Sequence, residues 1–182
     1  MTLRPALAAL AADPAATSVR RLWKALTPEE RVAGITACLT DDEDGWVKNR
    51  TRSAVAAALK FRPQTVATWP RTKIVAEAAR LPIDDAQLLS GYIVDLHLGL
   101  RRPMMAEFLD SLGIANENGR IDSEATVVPQ QDADGIRTAA DVIAARYPRE
   151  DVVIYLLTLL LQDNSIWGGA ADWLVKRAHD QP

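Results

Sequence analysis

The stretch DDAQLLSGYIVDLHLGLRRPMMAEFLDSLG, residues 84–113, decides the fold because it predicts two consecutive helices. In the first, residues 84–100, apolar side chains on two faces recur at helical spacing, so we expect burial on most sides; they are Leu88, Leu89, Tyr92, Ile93, Leu96 and Leu100, with Val94 and Leu98. The second helix, residues 103–112, carries one stripe: Met104, Met105, Phe108, Leu109 and Leu112. Gly113 then predicts a left-handed stop, with Ile114 folding back onto Leu109.

The rest of the chain also shows helical spacing of its apolar residues. Thr27 to Glu30, TPEE, predicts a capping box that begins a helix, and Trp46 to Leu59 predicts another. The first four residues of Val152 to Leu161 would suit a strand, but the whole run is longer than a typical strand and favours a helix. We therefore predict an all-α fold, a compact bundle of about eight to ten short helices around the central pair 84–100 and 103–112.

The chain length suits one domain, residues 1–182. The alternative is a subdivision into an N-terminal helical subdomain, residues 1–81, and a C-terminal one, residues 82–182. The short N-terminal helix with Leu3, Leu7 and Leu10 is expected to dock loosely or fray. Residues 114–134 are polar and without a helical stripe, so they predict either a linker or a functional loop.

Composition bounds the class of protein and its location. The hydrophobic fraction of 48% and the charged fraction of 25% are typical of a soluble globular protein. The single cysteine, Cys38, excludes an internal disulfide and suits a reducing compartment, so we predict a cytoplasmic protein. Val152 to Leu161 is about half as long as a bilayer crossing requires. Ala6 to Ala12 is at the lower end of the length range of an export signal and runs into Asp13 and Pro14, which argues against such a signal. We therefore expect no membrane association.

Charge is distributed unevenly along the chain. The formal net charge of −3 gives no overall attraction to nucleic acid or anionic lipid. Residues 48–80 nevertheless hold eight basic side chains against one acid, Glu77. One interpretation is an anion-facing surface, and the other is an ordinary solvated face whose cations pair with acids such as those of Asp41 to Asp44.

Within this basic segment, Arg52 to Trp69 resembles the helix-turn-helix of DNA-binding repressors. In a first helix, the inward positions are Val55, Ala56 and Leu59. Phe61 is the apolar position after the turn, and the inward positions of a second helix are Val66 and Trp69. Lys60 stands where that family usually has glycine, and Pro70 cuts the second helix short. The resemblance implies that Arg62, Gln64, Thr65 and Thr68 face the major groove while Arg52, Arg71 and Lys73 contact phosphates. The alternative is two packed helices with no DNA contact.

No pattern in the sequence predicts a metal or a cofactor. Two segments carry part of a calcium-loop pattern, Asp42 to Gly45 and Asn116 to Gly119. Both lack the opening and closing carboxylates, because those positions hold Thr40 and Thr51 in one and Ile114 and Ala125 in the other. We interpret them as polar turns. The histidines, His97 and His179, lie in no ligand spacing.

The aromatic residues and the lack of a catalytic motif lead to the functional prediction. Trp23 and Trp69 occupy inward helical positions, whereas Trp46, Trp167 and Trp173 are less constrained. Trp167 and Trp173 indicate a partner surface on the C-terminal helix. We predict a non-catalytic interaction or scaffold protein that binds a protein partner or self-associates. The alternatives are a DNA-binding regulator that uses residues 52–71, and an enzyme that uses His97 with nearby carboxylates and either Arg101 or Arg102.

Overall fold

A computed structural model describes residues 3–121, 128 and 130–177 of the chain. The predicted all-α fold is confirmed: these residues form twelve α-helices, ten of them seven residues or longer, and a 3-10 helix at Pro14–Ala16, with no strand. The helices are α1 (Pro5–Ala12), α2 (Val19–Ala25), α3 (Pro28–Thr40), α4 (Trp46–Leu59), α5 (Pro63–Ala67), α6 (Arg71–Arg80), α7 (Ala86–Leu100), α8 (Arg102–Ser111), α9 (Ala133–Ala144), α10 (Arg149–Gln162), α11 (Asn164–Trp167) and α12 (Gly169–Arg177).

The described residues group into two compact units. Unit 1 contains those of Met1–Ala25 and Arg101–Pro182, and unit 2 contains Leu26–Leu100. The two helices of the predicted central pair exist, with α7 in unit 2 and α8 in unit 1. The subdivision of the chain between residues 81 and 82 stays a prediction. Of the helices described, none combines the length and the apolar character that a bilayer crossing requires.

Helix α10 forms the centre of unit 1. Its predicted helical state is confirmed, and every residue from Val152 to Leu159 is buried. It contacts α1, α2, α9, α11 and α12. Phe108 of α8 meets Tyr155 edge to face, with ring centroids 5.4 Å apart. A helix that is apolar all round is therefore covered all round, as its composition requires.

The N-terminal helix does not fray, so the expectation of loose docking is wrong. Leu3, Leu7 and Leu10 are only 8%, 0% and 3% exposed. Helix α1 contacts α10 and α12, and Arg4 donates from Nε to the Glu150 carboxylate at 2.8 Å. The residues that cover α1 come from distant parts of the chain. The apolar spacing of the N-terminal segment alone therefore could not predict that this helix is buried.

The C-terminal region is two helices where the sequence predicted one, Ile166 to Ala178. Asp163 caps α11 by accepting from the backbone N–H of Ser165 at 2.9 Å, and α12 starts at Gly169. A Cβ atom at Gly169 would lie 2.7 Å from Ala133 Cα, so this glycine permits close packing against α9. Ala178 lies outside the described residues.

The C-terminal tryptophans are core residues, contrary to the expected partner surface. Trp167 and Trp173 are 4% and 2% exposed. The indole N–H of Trp173 donates to Asp141 Oδ1 at 2.9 Å, which satisfies the polar end of the buried ring. These two side chains therefore stabilise unit 1 and are not exposed anchors.

In unit 2, α3 and α7 lie against each other, and α4 joins them through a buried hydroxyl pair. Thr51 Oγ1 lies 2.7 Å from Val47 O and 2.6 Å from the Tyr92 hydroxyl. Because the Thr51 hydroxyl donates to the carbonyl, Tyr92 donates to Thr51. The predicted capping box at the start of α3 is confirmed: Glu30 N donates to Thr27 Oγ1 at 3.1 Å, and Thr27 N donates to Glu30 Oε2 at 2.7 Å.

The predicted stop of α8 is confirmed. Gly113 has φ +67°, Ile114 N donates to Leu109 O at 2.9 Å, and the Ile114 side chain is buried. The following turn has positive φ at Asn118 and Gly119. Residues 122–127 and 129 of the polar stretch 114–134 lie outside the described residues, so its role as linker or loop stays a prediction.

Candidate functional site

The segment that resembles a helix-turn-helix folds as α4, a tight turn and α5. Lys60 adopts the left-handed conformation with φ 57°, and Phe61 N donates to Ala56 O at 2.8 Å. This is the helix stop that glycine usually provides, formed here by a lysine at a conformational cost. Val55 and Val66 are fully buried and hold the two helices together. Helix α5 has only five residues.

The residues expected to face the major groove are all exposed. They are Arg62, Gln64, Thr65 and Thr68. Arg62 immediately precedes α5, and Gln64 and Thr65 lie on it. The Thr68 hydroxyl donates to Thr65 O at 2.9 Å, within the same turn. Three of the four side chains are therefore directed to solvent without a hydrogen bond to the described part of the chain.

The residues expected to contact phosphates have three different environments. Arg52 is half-buried, and its Nε has no acceptor among the described residues. Arg71 donates from Nη2 to Thr36 O at 2.8 Å and to Thr40 Oγ1 at 2.6 Å, so it caps the end of α3. Lys73 lies on an aromatic ring. Arg52, Arg71 and Lys73 therefore do not share a common environment.

A compact group of cations and aromatic rings is formed instead around the turn. The Phe61 and Trp69 rings meet nearly at right angles with centroids 5.9 Å apart, and Lys73 Nζ lies 3.8 Å from the Trp69 ring centroid. Lys60 and Arg62 flank Phe61 in the chain and are exposed. We call Lys60, Phe61, Arg62, Trp69 and Lys73 the basic-aromatic patch.

The acidic turn that precedes α4 does not neutralise these cations. The carboxylate of Asp42 accepts from Val47 N at 3.1 Å and from Lys48 N at 2.8 Å, so it caps α4. Within the described part of the chain, ion pairs involve only two basic residues of the segment 48–80: Arg50 with Asp85, and Arg80 with Glu77. The other six make no ion pair with the acids of the described ranges: Lys48, Arg52, Lys60, Arg62, Arg71 and Lys73.

The ion pair of Arg50 borders a separate cavity of about 390 Å³. Arg50 donates from Nε and Nη2 to the two carboxylate oxygens of Asp85 at 2.5 and 3.0 Å. This hydrogen bonding keeps the pKa of Asp85 below its usual value. The guanidinium also lies over Trp46, 4.8 Å from the ring centroid. Arg50 and Asp85 beside this cavity therefore neutralise each other.

A second surface of unit 2 is apolar and lies along α3 and α7. Leu100 was expected to be buried with the other apolar residues of its helix, which is wrong: it is 63% exposed. Val32 of α3 is 39% exposed. They border an open cavity of about 600 Å³ together with Pro28, Glu29, Ala33, Thr36, Ala37 and Gly99. We call Pro28, Val32, Ala33, Ala37, Gly99 and Leu100 the α3–α7 apolar surface.

Part of this surface had a signal in the sequence. Val32 shares a helix face with Glu29 and Thr36, at three residues before and four after, and polar neighbours at that spacing indicate exposure. Leu100 follows the buried Leu96 at helical spacing, so its exposure had no comparable signal.

The basic-aromatic patch had a partial signal. Phe61 was predicted to be the apolar position after the turn, and it is 48% exposed. Its cationic neighbours Lys60 and Arg62 are polar residues on both sides of one aromatic ring, and this pattern favours a surface position. Lys60 itself was counted among the basic residues of the segment 48–80 but was not predicted to be a nucleic-acid contact.

Of the residues considered for metal binding and for catalysis, Asn116 lies in a hydrogen-bonded turn and His97 is buried. Asn116 Nδ2 donates to Asp110 at 2.8 Å and its Oδ1 accepts from Gly119 N at 2.8 Å, which makes this segment a polar turn. No three metal-ligating side chains converge within residues 3–121, 128 and 130–177. His97 is 1% exposed, so its imidazole does not reach the surface. His179 and Ala125 lie outside the described residues.

Comparisons with protein-family models, with curated proteins and with solved structures found no match to this chain. Functional inference therefore rests on its own side chains.

Proposed function

We propose that this protein is a non-catalytic interaction protein that self-associates through the α3–α7 apolar surface. The observation that carries the proposal is the exposure of Val32 and Leu100 beside an open cavity. Adjacent large apolar side chains on a surface are a mark of protein contact sites. Burial of this surface against a partner would remove it from water.

A second copy of the chain is the partner that this surface fits. Val32 and Leu100 are large and exposed, whereas Ala33, Ala37 and Gly99, which line the same cavity, are small. One surface thus carries large side chains beside small ones. A two-fold interface between identical surfaces needs this self-complementarity, because each residue on one copy meets a different residue on the other. Glu29 at the edge supplies a polar rim.

Sedimentation velocity of the purified chain over a range of micromolar concentrations tests the proposal. We expect a concentration-dependent dimer. Val32→Asp and Leu100→Asp should each weaken the association at least about 100-fold, because a two-fold contact would bury two uncompensated carboxylates.

Val175→Asp is the matched control, since Val175 is an exposed valine of unit 1, with 50% exposure. It should leave the dimer unchanged. A wild-type chain that sediments as a monomer at every concentration would contradict self-association. So would equal weakening by Val32→Asp and Val175→Asp.

A second candidate function is a DNA-binding regulator that uses residues 52–71. The observation that favours it is the set of six basic residues in the segment 48–80 that make no ion pair with the described acids. Counterion release from nucleic-acid phosphates would give such uncompensated cations a favourable free energy of binding. The exposed Arg62, Gln64 and Thr65 lie where the helix-turn-helix resemblance expects base contacts.

Fluorescence anisotropy with a labelled duplex of about 20 base pairs tests this candidate. We expect binding that weakens with salt and with Arg62→Ala, whereas Lys176→Ala, an exposed cation of α12, should bind as the wild type does. The absence of any duplex binding at 50 mM salt would remove the regulator as a candidate.

The proposal also places the protein in the cytoplasm. Cys38 is a free, buried thiol, and burial raises its pKa, so it stays protonated. A protonated thiol resists oxidation, and a chain with one such cysteine suits a reducing compartment. Fractionation of cells that express the tagged chain checks this location.

A further inference from the structure

We infer that the basic-aromatic patch binds single-stranded nucleic acid, with Phe61 stacking on a base and Lys60, Arg62 and Lys73 contacting phosphates. This inference rests on one part of the second candidate function, the binding of nucleic acid by unit 2, and it specifies the ligand as a single strand. It does not require that a duplex binds. In this inference α5 does not enter a major groove; instead, a base stacks on Phe61 beside the turn.

The Phe61 ring lies exposed on the turn between α4 and α5. The ring follows the left-handed Lys60, so it is carried on a tight turn and not within a helix. It is 48% exposed although it is wholly apolar. The edge-to-face contact with Trp69, at an interplanar angle of 85°, holds the ring without stacking on it. A face of the aromatic pair therefore stays accessible to a flat ligand.

The charge beside these rings is positive. Lys60 and Arg62 are the chain neighbours of Phe61, and Lys73 covers part of Trp69 from 3.8 Å. None of the three forms an ion pair with an acid in the described ranges. Cations beside an exposed aromatic ring are the arrangement that single-strand-binding proteins use, because bases stack on rings while the backbone follows the positive charge.

The exposed ring and the short helix α5 favour a single strand over a duplex as the ligand. In a duplex the base faces are stacked on one another, so an exposed ring cannot reach them unless a base is taken out of the stack. Helix α5 has only five residues, Pro63–Ala67, and Pro70 follows shortly after its end. It is therefore about one turn long and offers little helix to lie along a major groove. A single strand presents its base faces without that requirement.

The polar side chains next to the patch favour a nucleic acid over an anionic membrane, although a membrane would also attract cations beside an aromatic ring. Gln64, Thr65 and Thr68 are exposed next to the patch. Their amide and hydroxyl groups can donate to and accept from base edges. A lipid surface would instead favour further apolar side chains at this position.

The test uses the full-length protein and a fluorescent 20-nucleotide oligothymidylate, with a 20-base-pair duplex and anionic vesicles of phosphatidylcholine and phosphatidylserine as competitors. We expect the single strand to bind more tightly than either. Binding should weaken about 20-fold between 50 and 200 mM salt, as three phosphate contacts on a single strand imply.

Phe61→Ala should weaken single-strand binding about tenfold or more through loss of stacking, and Phe61→Leu, which keeps apolar bulk but has no aromatic face, should weaken it similarly. Trp46→Ala is the matched control, because Trp46 is equally exposed at 48% but lies outside the patch. It should bind as the wild type does. Circular dichroism of each variant verifies that the helices are retained.

The outcomes distinguish this inference from the function on which it rests. Preference for the duplex, with Phe61→Ala and Phe61→Leu unaffected, would overturn the single-strand inference and keep DNA binding. Preference for vesicles over both nucleic acids would overturn the inference in favour of a membrane surface. The absence of binding to any nucleic acid at 50 mM salt would overturn both the inference and the candidate function.

Discussion

Gly34 of α3 lies directly against the backbone of Tyr92 in α7. A Cβ atom at position 34 would stand 2.4 Å from the Tyr92 carbonyl oxygen and 3.3 Å from Leu96 Cβ. Because a backbone atom cannot move aside as the end of a flexible side chain can, glycine is required for this approach of the two helices. The contact fixes the geometry of unit 2, including the surface that ends at Leu100.

Gly34→Ala should lower the free energy of unfolding by about 1–3 kcal/mol through overpacking at this contact. Gly91→Ala is the control, because its Cβ would meet only Cys38 Sγ at an ordinary 3.7 Å. There the higher helix propensity of alanine should stabilise by up to about 1 kcal/mol. Urea unfolding followed by circular dichroism measures both. Equal stability of the two variants would mean that α3 and α7 are farther apart than described.

Lys60→Gly should raise the free energy of unfolding by about 0.5–1 kcal/mol. The left-handed backbone costs lysine about 1–2 kcal/mol, and the greater entropy of glycine in the unfolded chain offsets part of the gain. Lys48→Gly, on the exposed face of α4, should instead destabilise by about 1 kcal/mol. Thermal melts of the two variants should shift in opposite directions. A loss of stability with Lys60→Gly would argue against the left-handed turn.

Leu7→Ala should cost about 2–4 kcal/mol, since the side chain is fully buried and its removal leaves a cavity. Val175→Ala, at 50% exposure in the same unit, should change stability by less than about 0.5 kcal/mol. Chemical denaturation of both variants provides the comparison. If Leu7→Ala proved as mild as Val175→Ala, α1 would be a frayed segment after all.

Stability should fall as pH rises above about 9 because of Cys38. Burial raises the pKa of this thiol above its ordinary 9.0, and a hydrogen bond with Asp95 adds to the effect. The unfolded chain therefore loses this proton first, and stability that is complete below pH 9 is lost at higher pH, by up to about 1.4 kcal/mol per pH unit.

Burial also raises the pKa of Tyr92 and Tyr155, whose contribution begins above the ordinary tyrosine value of 10.0. Cys38→Ala should remove the loss between pH 9 and 10, and above pH 10 it should leave only the smaller loss that comes from the tyrosines. Urea unfolding at closely spaced pH values checks this. Identical pH profiles for the wild type and Cys38→Ala would contradict the assignment.

Local rules predicted the parts of the fold that a few neighbouring residues determine. The Thr27–Glu30 capping box and the Gly113 stop were predictable because their donors and acceptors lie within six residues. The helical state of α10 followed from the length of its apolar run. The burial of Leu7 was not predictable, because its covering surface comes from α10 and α12, far along the chain.

The candidate surfaces were less predictable than the helices. The sequence located the basic segment, but ion pairing depends on which distant acid is nearby, as Arg50 with Asp85 illustrates. The contact of Phe61 with Trp69 depends on how the turn at Lys60 orients the ring. The exposure of Leu100 depends on where neighbouring elements leave its helix end uncovered. Each of these is a tertiary property that helical periodicity does not encode.

The most direct test of self-association is hydrogen–deuterium exchange measured at low and at high protein concentration. We expect peptides covering residues 28–37 and 96–100 to exchange more slowly at high concentration, while peptides from α12 keep one rate. Exchange of residues 28–37 and 96–100 that is the same at both concentrations, in a sample shown by sedimentation to be dimeric at the higher one, would place the interface elsewhere and overturn self-association through the α3–α7 apolar surface.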